Sequence, residues 1–233
     1  MKWDYRFVDY IVPNSYAQRN FLVSLRPEWN DRIITITNYT DITKYAATPL
    51  PCNDIIRIGI FGRYSPDKNC MNVARMVLLL KNKVDKKFVI DWYGHNNTDY
   101  YRQVMQYVQD NDLQEYIHFN GFCKDVEGMM PHLDIIALPS KYEGFSNSIA
   151  EGICCGKPIL ASDIADNRTM VHDTVNGFLF SPDDIEEMAD KFSEMISMSS
   201  EQRQDMGNES RSIAESIFKK EEFVNKYVEL IDA

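Results

Sequence analysis

The chain has 233 residues, 44% of them hydrophobic and 26% charged; these are globular proportions, able to bury about 70% of the unfolded surface, and they exclude a disordered chain. A net charge of −10 repels phosphate backbones, so nucleic-acid partners are disfavoured and a small anion needs a local cluster of donors. Five cysteines (Cys52, Cys70, Cys123, Cys154, Cys155) form no CxxC pair, and the four histidines are scattered, a pattern of reduced thiols and of no metal site.

In chain order, the start MKWDYRFVDYIV lacks a signal-peptide apolar run, and no stretch reaches the roughly 18 apolar residues of a membrane span. The expected setting is cytoplasmic, at most peripheral at the inner face of a membrane. VDYIVP, a helix around Ser15 to Leu25, and RIITITNY predict strand, helix, strand. Thr48-Pro49-Leu50-Pro51 then forms a linker-like break. Residues 1–50 are thus set apart as a piece too small for its own core, and 51–233 as the main domain.

Alternation begins at residue 55. IIRIGIF (55–61) is a short buried-strand run ending at Gly62, and residues 69–82 carry a helical face of Ala74, Val77, Leu78 and Lys81. FVIDWYG (88–94) is the next strand, and Tyr101, Val104, Met105 and Val108 follow at helical spacing. YIHFNG (116–121), DIIALPS (134–140) and PILAS (158–162) are strands, with a helix from Ser146 to Cys155 between the last two; GFLF (177–180) is the sixth. Ser181-Pro182-Asp183-Asp184 starts a helix bearing Ile185, Met188, Ala189, Phe192, Met195 and Ile196, and two more helices cover about 201–217 and 220–231. Strands apolar throughout and separated by helices predict a parallel sheet covered on both faces. The fold class is α/β: a Rossmann-like, doubly wound sheet of about six strands, whose ligands meet the carboxyl ends of the strands.

Two loops at those ends carry chemistry. In Gly62-Arg63-Tyr64-Ser65-Pro66-Asp67-Lys68-Asn69, Gly62 permits a sharp turn. Arg63 and Lys68 offer a guanidinium fork and an ammonium to a diphosphate, although each alone reads more simply as a solvated cation. In Tyr142-Glu143-Gly144-Phe145-Ser146-Asn147, leading into Glu151, the amides of Phe145, Ser146 and Asn147 open a helix whose dipole favours an anion. Glu151 can accept from a vicinal diol such as ribose, or serve as an ordinary solvated glutamate. Asp110-Asn111-Asp112 has the DxD form of some metal sites, but its place between a helix and the start of a strand makes it a polar turn; His95 and His118 read as loop and packing residues.

Taken together, IGIFGRYSPDKN, YIHFNGF, LPSKYEGFSNSIAEGICCGKPILAS and VNGFLF resemble, from about residue 55 to 198, the C-terminal domain of the retaining glycosyltransferases of family 4 (group 1), which have GT-B architecture. The resemblance implies a donor-binding half without metal. Arg63 and Lys68 would neutralise the diphosphate of a UDP-, GDP- or ADP-sugar, Glu143 contact the sugar near its reacting carbon, and Glu151 bind the ribose. The backbone of Phe145, Ser146 and Asn147 would hold the distal phosphate and sugar hydroxyls, and Gly121, Phe122 and Cys123 the base. It also casts residues 1–50 as the remnant of an acceptor-binding domain that is otherwise absent, so this chain should bind donor and transfer poorly or not at all. The acceptor would be a glycan or a lipid-linked sugar, and an exposed interdomain face would favour self-association.

Departures are Thr169, where a glutamate is common, and Tyr39, which replaces the usual glycine after Asn38. A nucleotide-sugar-binding subunit inactive alone is the main alternative. A sugar-nucleotide epimerase is weakened by the pair Glu143 and Glu151.

Overall fold

The apolar runs become strands where their patterning places them. In the computed structural model, which describes residues 7–51, 54–95 and 98–232, β1 (Ile56–Phe61), β2 (Phe88–Tyr93), β3 (Ile117–Phe119), β4 (Ile135–Leu138), β5 (Ile159–Ser162) and β6 (Gly177–Phe180) form one sheet. Its order is β3-β2-β1-β4-β5-β6 and every pairing is parallel. In register, Ile58 lies between Ile90 and Ile135.

Eight α-helices accompany the sheet among the described residues: α1 (Tyr16–Leu25), α2 (Cys70–Leu80), α3 (Asp99–Asp110), α4 (Val126–Met129), α5 (Asn147–Cys154), α6 (Ile185–Ser197), α7 (Ser200–Ile217) and α8 (Lys220–Ile231). Strands with both faces covered are near-continuous apolar runs, here broken by Arg57 of β1 and Asp91 of β2, which pair with each other. One face carries Ile58, Ile90, Trp92, Leu160 and Phe178 against Val73, Val77 and Phe192 of the helices. The other carries Ile136, Leu138 and Ile159 against Ile149 and Ile153 of α5. The Ser-Pro-Asp-Asp signal works as expected, since the Asp184 carboxylate accepts from the amides of Glu186 and Glu187 at the start of α6. A capping box of Ser199 and Gln202 opens α7.

Chain direction across the sheet reverses between β1 and β4. At such a switch point the following loops run to opposite faces and leave a crevice at the carboxyl ends. The loops after β1 and β4 are the two that carry Arg63, Lys68 and Glu143.

The first fifty residues differ from expectation. The helix forms, capped by Ser15, but the two flanking strands shrink to one parallel bridge between Ile11 and Ile33. Pro27–Arg32 is a 3-10 turn. Among the described residues no third strand lies beside these two short parallel segments, and such a pair is too small to build a ladder. The turn read at Asp110-Asn111-Asp112 is present: α3 ends at Asp110, and Asp112 has φ 51°. It leads into β3 at the end of the sheet away from the ligand loops. His118 lies in β3 with Nδ1 3.4 Å from the buried Asp91, which also pairs with Arg57 at 2.6 Å. Cys52 lies outside the described residues; Cys70, Cys123, Cys154 and Cys155 are free thiols. Among the described residues no helix is long and apolar enough to cross a membrane.

Candidate functional site

The loop after β1 is shaped before it is charged. Pro66–Lys68 is a single 3-10 turn, and Asn69 follows with φ 67°, a left-handed conformation that asparagine tolerates better than most residues. Gly62 stands at a bend directly after β1, as expected, without a positive φ, and an added Cβ there would meet only the Lys68 side chain, nearest at 3.5 Å. The close approach belongs to Gly94, whose added Cβ would lie 2.0 Å from the Gly62 carbonyl oxygen. The absent side chain at residue 94 lets the ends of β1 and β2 touch.

The loop after β4 meets this turn directly. Lys141 N donates to the Asp67 carbonyl at 2.8 Å. Lys68 Nζ donates to Glu143 Oε1 at 2.5 Å, with the two side chains 18% and 11% exposed. At that depth the attraction is weakly screened, and each charge depends on the other to offset its lost hydration. Arg63 stays apart. Its guanidinium is 3.6 Å from Asp67, with the side chain 75% exposed.

Glu143 leads into α5. Phe145 is buried and packs edge-on against Phe218, so only its backbone faces the rim. Ser146 Oγ donates to Asn167 Oδ1 at 2.6 Å, and Asn167 Nδ2 to the Ser162 carbonyl at 2.8 Å. Asn147 Oδ1 accepts from Asn38 at 2.9 Å, and Asn38 Oδ1 from Asn14 at 3.3 Å. Among the described residues, the amides of residues 145 to 149 donate to no protein acceptor. These are the orphan donors of a helix start, aimed at the rim.

Glu151, one turn further along α5, is half-buried and accepts from the Tyr45 hydroxyl at 3.0 Å. Burial raises its carboxyl above the ordinary glutamate value, and the Tyr45 hydrogen bond offsets part of that rise. Arg211 of α7 holds the surrounding backbone, donating from one nitrogen to the carbonyls of Ile42 (3.2 Å), Tyr45 (3.1 Å) and Cys154 (2.7 Å).

At the β2 and β3 ends, Gly121 takes φ 74° with open space beside it. Both its polar groups are engaged: its carbonyl accepts from Gly94 N at 2.8 Å, and its amide donates to the Tyr64 hydroxyl at 2.9 Å. In this loop Phe122, which is 71% exposed, and the half-buried Cys123 are the side chains left open at the rim. Among the described residues, no group of three or more His, Cys, Asp or Glu is placed to hold a metal ion.

Of the sequence-derived set, Lys68 and Glu143 touch, α5 presents its amides beside them, and Glu151 lies on the same helix. Arg63 lies in the same loop without contacting them. Three participants were not read from the sequence: Tyr45, Asn167 and Asp166. The Asp166 carboxylate accepts from the first two amides of α1, Tyr16 N at 2.5 Å and Ala17 N at 3.0 Å. These links tie residues 14–45 to the rim of the sheet.

The model of the family Glycosyl transferases group 1 matches residues 55–198, well over half of the chain. The chain belongs to that family. The match begins one residue before β1 and ends one residue after α6, so it takes in the whole sheet of this group 1 chain and leaves out α1, α7 and α8. Among proteins it is similar to, a poly(ribitol-phosphate) alpha-N-acetylglucosaminyltransferase of Staphylococcus aureus is 25% identical over 71% of this chain and 33% of its own length. A UDP-Gal:alpha-D-GlcNAc-diphosphoundecaprenol alpha-1,3-galactosyltransferase of Escherichia coli is 29% identical over 54% of this chain and 32% of its own. The chain thus spans about a third of the length of these curated relatives.

Solved structures show the fold. Anabaena HepE, determined with UDP and glucose, superposes with a TM-score of 0.85 over 97% of this chain and 64% of its own, at 22% identity. A Staphylococcus aureus TarM variant, determined with fondaparinux, alpha-GlcNAc-glycerol and UDP, gives 0.84 over 98% and 45%, at 19% identity.

Proposed function

We propose that this group 1 chain is the donor-binding half of a retaining glycosyltransferase, which moves a sugar from a nucleoside diphosphate to a glycan or lipid-linked acceptor. The observation that carries the reading is the meeting of Lys68 and Glu143 from separate loops at the switch point, beside the unpartnered amides of α5. A departing nucleoside diphosphate needs positive charge fixed in place before its bond breaks. An ammonium and aligned amides supply it without reorganisation, and Arg63, exposed and weakly paired, is free to swing onto the phosphates.

With one oxygen of Glu143 already bound to Lys68, this carboxylate suits a positioning and electrostatic role better than that of a free nucleophile. In the retaining, same-face route, the bond from the anomeric carbon to the phosphate oxygen breaks as the acceptor oxygen attacks from the same side. The acceptor proton passes to the departing phosphate. Acceptor activation falls to the part of the relatives that this chain does not span.

Calorimetry with UDP-, GDP- and ADP-sugars in EDTA tests the reading on wild type and Arg63→Ala. One nucleotide class should bind without added metal, and the substitution should weaken it by about 1.5–3 kcal/mol, the range of a charge-assisted hydrogen bond. No binding by any of the three classes would sink the proposal, and equal affinity in the variant would remove Arg63 from it.

A further inference from the structure

We infer that Tyr45 is a positioning residue: its hydroxyl fixes the Glu151 carboxylate, and through it a vicinal diol of the ligand, which is the ribose on the donor-site reading that this inference rests on. Tyr45 lies outside the stretch that matches the family, 106 positions before Glu151, and no charge or motif marks it. It is 9% exposed, and its hydroxyl finds its partner in Glu151 Oε1 at 3.0 Å. A buried tyrosine hydroxyl needs such a partner. A phenylalanine would fill the same space without it, so the oxygen acts as a donor to this one carboxylate.

The segment that carries Tyr45 is held from several sides. Thr43 donates from both its amide (2.9 Å) and its hydroxyl (2.7 Å) to Asp41 Oδ1, and the amides of Lys44 and Tyr45 donate to the Asp41 carbonyl at 3.1 Å each. Lys44 Nζ stands 5.5 Å from the centre of the Tyr45 ring. Arg211 then ties the Tyr45 carbonyl to that of Cys154, at the far end of the helix that bears Glu151. Donor and acceptor are therefore referred to one guanidinium, and neither can drift without the other.

A carboxylate offers about four lone-pair positions, of which Tyr45 takes one. The rest can accept both hydroxyls of a vicinal diol, but only if the three torsions of the glutamate side chain are already set. Without the Tyr45 hydroxyl, ligand binding must freeze those torsions itself, a loss of about two- to tenfold in affinity.

The test uses the full chain and whichever of UDP, GDP and ADP binds most tightly, with its 2′,3′-dideoxy analogue as the second probe. Both affinities are measured for wild type, Glu151→Gln and Tyr45→Phe. The inference expects Glu151→Gln to abolish the preference for the ribonucleotide. It expects Tyr45→Phe to cut that preference by about two- to tenfold and leave dideoxy affinity as in wild type. A Tyr45→Phe chain that keeps the full preference, while Glu151→Gln loses it, overturns the role of Tyr45 and leaves the ribose site standing. An equal loss on both probes shows a merely structural role and also overturns it. A preference that survives Glu151→Gln removes the ribose reading itself, and this inference with it.

Discussion

Replacing Lys68 by methionine separates the structural from the chemical role of its pair with Glu143. The substitution leaves a carboxylate that is 11% exposed without its cation. Breaking a buried pair from one side costs about 3–5 kcal/mol, and the residual exposure of both groups places this pair at the lower end, about 3 kcal/mol. For a domain of this size the melting temperature should fall by roughly 6–12 °C, measured by calorimetry without ligand. Nucleoside diphosphate affinity should fall by roughly 10- to 150-fold, the equivalent of a lost charge-assisted hydrogen bond.

The double variant Lys68→Met with Glu143→Met divides the two effects. Replacing both partners by apolar groups of similar volume is often neutral, so the melting temperature should return to within about 3 °C of wild type, roughly 1 kcal/mol, while nucleotide binding stays lost. A double variant that regained full nucleotide affinity would show the pair to be only a strut between two loops, and the phosphate role of Lys68 would be refuted.

Three further outcomes are expected. Asp166→Ala removes the carboxylate from the first two amides of α1, and at about 1 kcal/mol for a lost cap it should hasten hydrogen exchange and proteolysis within residues 16–25 while the sheet amides stay protected. Gly94→Ala drives a methyl group onto the Gly62 carbonyl, which should cost about 1–3 kcal/mol in denaturant unfolding and weaken nucleotide binding by displacing the Lys68 turn; unchanged values in both assays would contradict the close approach. The raised Glu151 carboxyl has opposite effects on fold and ligand. Its contribution to stability is present below the unfolded value and lost as pH rises through the folded one, whereas a diol needs the ionised form. Nucleotide affinity should therefore weaken as pH falls through a midpoint above the ordinary glutamate value, and calorimetry across pH should find that step missing in Glu151→Gln.

The sheet was legible because its physics is local. IIRIGIF and DIIALPS are apolar runs interrupted only by Arg57, Asp134 and Ser140, the pattern of a strand covered on both faces, and each ends in the turn chemistry that begins a loop. Lys68 and Glu143 could be placed at one rim because parallel topology sends every such loop to the same end. What stayed hidden depends on contacts between residues far apart in sequence. Nothing in Asp166 marks it as the cap of a helix 150 positions earlier, and Tyr45 carries no charge to suggest a carboxylate partner. The strands expected beside α1 failed for the complementary reason: RIITITNY has the alternation of a strand, but alternation cannot supply neighbours. The bend at Gly62 was legible, but the room that Gly94 leaves beside it was not, because a glycine can serve either for its φ or for the space at its Cα, and the sequence does not distinguish them.

Arg211 bears on where the working unit ends. The stretch that marks the family closes at residue 198, yet the guanidinium that fastens residues 42–45 to the helix of Glu151 comes from α7, thirteen positions beyond it. A chain trimmed to the recognisable stretch would keep all six strands but shed both Tyr45 and the brace behind Glu151. Homology and competence therefore have different borders in this molecule, and a fragment cut at the first would also uncover the α5 face on which Ala214 and Phe218 pack.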